Sequence, residues 1–250
     1  MPRVARVVSE TGYYHVVING NGKWILFEDD LDRRTFLDFL KSRTERWGVN
    51  VIAWCLMDTH VHLLFADFDG MLSKAMQSLM TIYAKYFNQR TGRTGHLFED
   101  RYWSKCIESD GQLLEAVRYI HNNPSNAGIC ASADYRWSSY DEYCYGQSIC
   151  DTGMILEMLN GPSGFVKFCA MREKSLYNPF MGHKIPQLHE MTVARAALSG
   201  EDPGKIGALD AINRNQAIRA MSGAGLSVRQ IARLTGVGRW TISSVLACHG

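Results

Sequence analysis

Apolar and polar positions follow two different periods along the first half of the chain. Residues 13–18 (YYHVVI) are rich in β-formers and run into the turn cluster Asn19-Gly20-Asn21-Gly22. They predict a strand ending in a turn. Residues 24–27 predict a second short strand. Leu31, Phe36, Leu37, Phe39 and Leu40 recur at helical spacing. They predict a helix over residues 30–46, capped by Asp29 or Asp30. Residues 49–57 predict a strand, Asp58-Thr59 a tight turn, and residues 60–66 the returning strand. Leu72, Ala75, Met76, Leu79, Ile82, Tyr83, Tyr86 and Phe87 make residues 70–90 a long amphipathic helix, its methionines and tyrosines core. A loop, TGRTGH, precedes a strand at residues 102–107. Residues 111–123 read as a helix stopped by Pro124. The order β-α-β-β-α-β-α predicts an α+β domain, a ferredoxin-like antiparallel sheet with helices on one face.

The C-terminal end has a different texture. Residues 227–246 read SVRQIARLTGVGRWTISSVL, with Val228, Ile231, Ala232, Val237, Ile242 and Val245 at apolar or small positions and Gly236 between them. This is the spacing of a helix-turn-helix. Residues 213–221 predict the supporting helix before it. The second helix would turn Arg239, Trp240, Thr241, Ser243 and Ser244 outward. A plain helical hairpin is the other reading of this pattern. Residues 151–170 predict a short helical region. Residues 173–204, with Pro179, Pro186 and Pro203, read as a linker with some helix. Three segments follow: an α+β domain over 1–150, a helical extension and linker over 151–204, and a small all-α helix-turn-helix domain over 205–250.

The net charge of +2 hides an asymmetry. From residue 205 onward six basic residues face Asp210 alone, a local +5, which leaves −3 on the remainder. A basic appendage of this kind fits a nucleic-acid partner or a solvated helix surface. A length of 250 residues accommodates one good core and a smaller unit. No apolar run approaches the roughly 20 residues that span a membrane, and MPRVARVVSE has no apolar signal core. The seven cysteines are scattered, odd in number and without a Cys-x-x-Cys pair. Reduced cytosolic thiols are expected rather than disulfides or structural zinc.

Candidate chemistry starts at MDTHVHLLF. Residues two apart on a strand point the same way, so His60 and His62 share a face opposite Val61, Leu63 and Phe65. Two imidazoles there can converge on a divalent ion or be ordinary hydrogen-bonded histidines. In QLLEAVRYIHNN, Leu113, Leu114, Val117 and Ile120 form one apolar sector and Tyr119 projects from nearly the opposite side. Glu115 and Asn123 share its face, and Asn123 offers an amide oxygen as a third ligand. Gly20-Asn21-Gly22-Lys23 lacks the glycine spacing and the Ser/Thr of a phosphate loop and reads as a turn. Cys55 reads as a core thiol.

Several blocks together carry a resemblance: YYHVVINGNGKWILFEDDLDR, WCLMDTHVHLLF, YFNQRTGRTGHLFEDRYWS, LLEAVRYIHNNPSNAGI, DYRWSSYDEY and DTGMILEML. Over about residues 8–170 the chain resembles the REP-associated tyrosine transposases, a branch of the single-tyrosine HUH nucleases. The resemblance implies a ferredoxin-like core and an HUH pair at His60 and His62. It implies a nucleophile at Tyr119, and Asn123 completing a Mg²⁺ or Mn²⁺ site. It further implies metal-dependent nicking and strand transfer on single-stranded DNA with REP-like hairpins, through a 5′-phosphotyrosine, in the bacterial cytoplasm on the nucleoid. Such enzymes work as monomers or as dimers. Ser125, Asn126 and Glu99 depart from the family pattern. The expected phosphate contacts are Arg101, Lys105 and Arg118, with base stacking from Tyr102 or Trp103. The C-terminal tail adds Arg239, Trp240, Thr241 and Ser243 as a second DNA-binding surface. The competing readings are a catalytically weak DNA-binding regulator and a metal-dependent phosphodiesterase that uses water.

Overall fold

The computed structural model describes residues 7–146, 148–171 and 177–247. Strands β1 (Tyr13–Asn19), β2 (Asn50–Leu56), β3 (His60–Ala66) and β4 (Trp103–Ile107) form one antiparallel sheet in the order β2-β3-β1-β4. Helix α1 (Asp30–Trp47) links β1 to β2, and α2 (Leu72–Thr91) links β3 to β4. Each helix crosses over a neighbouring strand, which is the ferredoxin-like α+β arrangement expected from the element order. The Asp29 carboxylate starts α1 by accepting from the Leu31 and Asp32 amides.

Strand alternation sorts the sheet into two faces. Val16 and Ile18 of β1, Trp54 and Leu56 of β2, and Val61, Leu63 and Phe65 of β3 join the main core, with Phe36 and Leu40 of α1 and Leu79, Tyr83 and Phe87 of α2. The other face carries His15 and Val17 of β1, His60 and His62 of β3, Cys55 of β2, and Trp103 and Lys105 of β4, in cross-strand register. Helix α3 (Asp110–His121) packs on this second face. The two crossover helices therefore share one face, and the third helix covers the histidine side.

Residues 24–27 are not a strand. Leu26 and Phe27 are buried, and Leu26 makes one strand-like bond, its amide to the Asp58 carbonyl at 2.6 Å. Its own carbonyl accepts from the Tyr83 hydroxyl at 2.6 Å. The segment is a plug under α2 rather than a sheet edge. The preceding residues, Asn21–Lys23, form a single 3-10 turn, as the turn reading of this glycine cluster expects. Pro124 occupies the first turn of a four-residue helix, α4 (Asn123–Asn126), so the chain breaks after α3 and restarts.

Contacts divide the chain differently from the three segments read in the sequence. One unit is Met1–His121 with Ala133–Cys169, and the other is Asn122–Ser132 with Ala170–Gly250. The first unit takes in helices α5 (Tyr140–Tyr145), α6 (Gly153–Met158) and most of α7 (Pro162–Ala170). Phe165 of α7 stacks on Tyr143 of α5 at 4.5 Å. The second contains α8 (Glu190–Ala197), α9 (Ala211–Gly223), α10 (Val228–Thr235) and α11 (Arg239–Ala247). The linker reading holds no separate body: α8 lies inside the second unit, and residues 172–176 lie outside the described residues.

Gly20 ties the end of β1 to the histidine-bearing hairpin through its amide, which donates to the Thr59 carbonyl at 2.9 Å. A Cβ at this position would stand 2.2 Å from the Trp24 carbonyl oxygen, a backbone atom. Gly20→Ala is expected to lower unfolding free energy by about 2 kcal/mol through overpacking, measured by urea denaturation.

Candidate active site

Both histidines of β3 are buried, His60 at 5 % exposure and His62 at 0 %. The β2–β3 hairpin that presents them closes tightly, with the Met57 amide donating to the His60 carbonyl at 2.9 Å. Their rings lie 5.1 Å apart at 90°, and a ring nitrogen of each lies within 4.8 Å of the other. Two metal–imidazole bonds of about 2.1 Å span a little over 4 Å, so the pair stands near chelating distance. The Nδ1 of each ring is engaged within the fold. His60 Nδ1 lies 3.3 Å from the Thr59 hydroxyl, and His62 Nδ1 lies 3.0 Å from Nε2 of His15. The buried, nitrogen-rich pair fits a divalent ion.

His15 was not among the residues singled out in the sequence. It sits on β1 with no exposed surface, across the strand pair from Lys105. Burial, with the Lys105 charge adding to it, pushes its pKa down to about 3. The imidazole is therefore neutral and able to accept a hydrogen bond. A lone histidine in an apolar strand carries no pattern; only the register that sets β1 beside β3 reveals its role. Cys55, opposite His62 on β2, is buried with its sulfur 3.8 Å from that of Met57.

Helix α3 delivers the aromatic hydroxyl. The Tyr119 ring lies 5.6 Å from His62 and 5.8 Å from His15, edge to face with both. Tyr119 is 3 % exposed. The sequence reading placed it away from the apolar sector, and the structure explains why: α3 is buried on both sides, with Leu113, Val117 and Ile120 in one apolar stripe and Tyr119 against the histidines. Burial raises the Tyr119 pKa above its ordinary value of 10.0.

Two neighbours on α3 do something other than expected. Arg118 is buried, paired with the Glu115 carboxylate at 2.8 Å and stacked over the Phe168 ring at 5.2 Å. An internal ion pair of this kind does not reach for DNA, which corrects the phosphate-contact reading. The same pair draws Glu115 to the arginine rather than to Tyr119. Asn123, the expected third ligand, is fully buried at the start of α4. Its assignment as a ligand rests on the sequence resemblance.

Of the other candidate contacts, Arg101 is exposed and Lys105 is half-buried on the histidine face, where desolvation lowers its pKa. Trp103 shares that face and is half-buried, available as an aromatic surface. Tyr102 is not available: it is buried in the main core with its hydroxyl 3.2 Å from that of Ser73. Within the second unit, α10 begins in a capping box of Ser227 and Gln230 and ends at Gly236 in the left-handed region, φ 71°. Ile231, Val237, Ile242 and Val245 are buried between the helices, while Arg239, Trp240 and Ser243 of α11 are exposed and Thr241 is half-exposed. Trp240 at 83 % exposure is a large aromatic with nothing from its own helix covering it.

Residues 8–123 match the family described as "Transposase IS200 like". Two solved structures are similar. One is the structure of the REP associates tyrosine transposase bound to a REP hairpin, 16 % identical, covering 61 % of this chain and 96 % of that one, with a TM-score of 0.49. The other is a crystal structure of a protein from Deinococcus radiodurans R1 described as a transposase, 18 % identical, covering 48 % and 96 %, with a TM-score of 0.35. At these scores neither likeness bears on what this chain does. No curated protein matches the chain.

Two outcomes follow from the burial around α3. Ultraviolet titration of the wild type minus Tyr119→Phe is expected to show no phenolate signal at pH 10, because desolvation holds the phenol neutral past its ordinary pKa. Arg118→Met is expected to cost about 2 kcal/mol of stability, since it strands the Glu115 carboxylate. It should leave the salt dependence of DNA binding unchanged, read by fluorescence anisotropy.

Proposed function

We propose that this protein, whose residues 8–123 match the IS200-like transposase family, is a metal-dependent single-stranded DNA endonuclease and strand transferase. It acts on REP-like palindromic hairpins through a 5′-phosphotyrosine intermediate. The observation that carries this reading is the Tyr119 ring, 5.6 Å from His62 on the sheet face that also holds His60. A buried tyrosine beside a strand-borne histidine pair has the parts for nucleophilic phosphoryl transfer.

His60 and His62, with Asn123 by resemblance, would hold Mg²⁺ or Mn²⁺, which when bound would supply Lewis acidity at the scissile phosphate. Tyr119 Oη attacks phosphorus in line. The Oη–P bond forms, the P–O3′ bond breaks, the phenol loses its proton, and the leaving 3′ oxygen takes one up. Burial keeps the phenol neutral in the resting state, so its proton departs as the new bond forms. The phosphotyrosine conserves the phosphodiester bond energy, and the 3′-OH of another strand can reverse the step. Tyr119 and His60 are nearly without exposed surface, so strand entry requires the site to open.

Arg101 and Lys105 contact the backbone of the bound strand, and Trp103 stacks a base. The helix-turn-helix of α10 and α11 is a second DNA-binding module. There Arg239, Trp240, Thr241 and Ser243 form the reading surface.

Labelled REP-like hairpin DNA with Mn²⁺ tests the reading. A protein-linked DNA band on a denaturing gel is expected for the wild type, lost in Tyr119→Phe and reduced at least 100-fold in His60→Ala and His62→Ala. Cleavage without a band, unchanged in Tyr119→Phe, would establish the water-using hydrolase instead. Tight binding without cleavage across a hairpin library would establish the regulator. Lys105→Met is expected to shallow the log K against log salt slope by about 0.7, the release of one counterion from a single strand.

A further inference from the structure

We propose that His15 is a positioning residue that holds His62 in the one tautomer able to present Nε2 to a metal. The inference rests on the metal reading of the histidine pair and adds to it a residue on a different strand. His15 Nε2 and His62 Nδ1 are 3.0 Å apart, and both rings are fully buried. One proton lies between these two nitrogens, and its owner decides what His62 can do. If His62 Nδ1 carries it, the bond runs from His62 to His15, and Nε2 of His62 keeps its lone pair. If His15 Nε2 carries it, neutral His62 must protonate its own Nε2, and that atom can no longer bind a cation.

The metal reading selects the first arrangement, because only a His62 ring protonated at Nδ1 keeps Nε2 for a cation, and His15 Nε2 is then the acceptor. Lys105 stands opposite His15 in the β1–β4 register. The register fixes the partnership as well. Val17, not His15, pairs directly with His62, so the bond is a diagonal one across β1 and β3. Tyr119 packs edge-on against both rings, 5.8 Å from His15 and 5.6 Å from His62, and restricts their tilt. Outer hydrogen-bond partners of this type orient a ligand and raise its basicity.

The test measures Mn²⁺ binding to the full-length protein without DNA, by calorimetry, together with the tautomer of His62 by long-range ¹H–¹⁵N correlation in the metal-free protein. His15→Phe keeps the ring volume and removes the acceptor, and it should weaken Mn²⁺ binding about 10–100-fold. His15→Gln, whose amide oxygen can accept from His62, should restore most of that loss. A His15→Phe protein with wild-type affinity would overturn the proposal, as would a His15→Gln protein no better than His15→Phe. Should His15→Phe fail to fold, the wild-type spectrum decides: protonated Nδ1 and bare Nε2 on His62 are expected, and the reverse tautomer contradicts the proposal. A wild type that takes up no Mn²⁺ defeats the metal reading itself, and the tautomer still reports on His15 separately.

Discussion

Three imidazoles buried on one face of a four-stranded sheet constrain the rest of the first unit. Burying a polar ring without partners is costly, and a buried histidine resists the charge that would make it a good ion-pair member. His15 and His62 meet this constraint by bonding to each other, and His60 by approaching the Thr59 hydroxyl. Both solutions engage Nδ1 of the β3 histidines, and a ring nitrogen of each histidine lies within 4.8 Å of the other. Strand alternation then separates this polar face from the core of α1 and α2, so that neither compromises the other. Helix α3 closes the histidine face, and the ring it brings there, Tyr119, has the one hydroxyl that the proposed chemistry needs.

The second unit solves a different problem, holding short helices together. Its three C-terminal helices are 13, 8 and 9 residues long, lengths at which isolated helices are marginal. Buried Glu190 at the start of α8 pairs with Arg233 of α10 and accepts from the Gln230 amide at 2.9 Å, while Gln230 also donates to the Ile185 carbonyl at 2.8 Å. Gln230 serves twice, in the capping box of α10 and in this network. The segment before residue 205 is thus part of the helical unit, and Arg233, counted in the basic excess, is engaged within the fold. The charge available to a nucleic acid is smaller than composition suggests.

Much of the sheet was legible in the sequence because its strands alternate and its turns carry glycine or Asp-Thr. The β3 face assignment needed only the two-residue period, and the core of α2 only its apolar stripe. Residues 24–27 misled because aromatic and β-branched residues mark burial as readily as strand pairing. Arg118 misled because a helical cation next to a site reads as exposed, whereas Glu115 three residues earlier and the distant Phe168 ring enclose it. His15 was invisible for a related reason. Its partner lies 47 residues away, and nothing short of the strand order brings them together. The two short helices around Gly236 were legible locally, but the tie from Gln230 to Glu190 spans 40 residues and was not.

The proposed chemistry requires the histidine face of the sheet to hold a metal opposite the tyrosine of α3. The most direct measurement is anomalous diffraction from crystals of the full-length protein soaked in Mn²⁺, with data collected near the manganese edge. The account predicts one strong peak bonded to Nε2 of both His60 and His62, on the side of the sheet occupied by Tyr119. A peak elsewhere, or a histidine pair that stays bare while other sites fill, would contradict it.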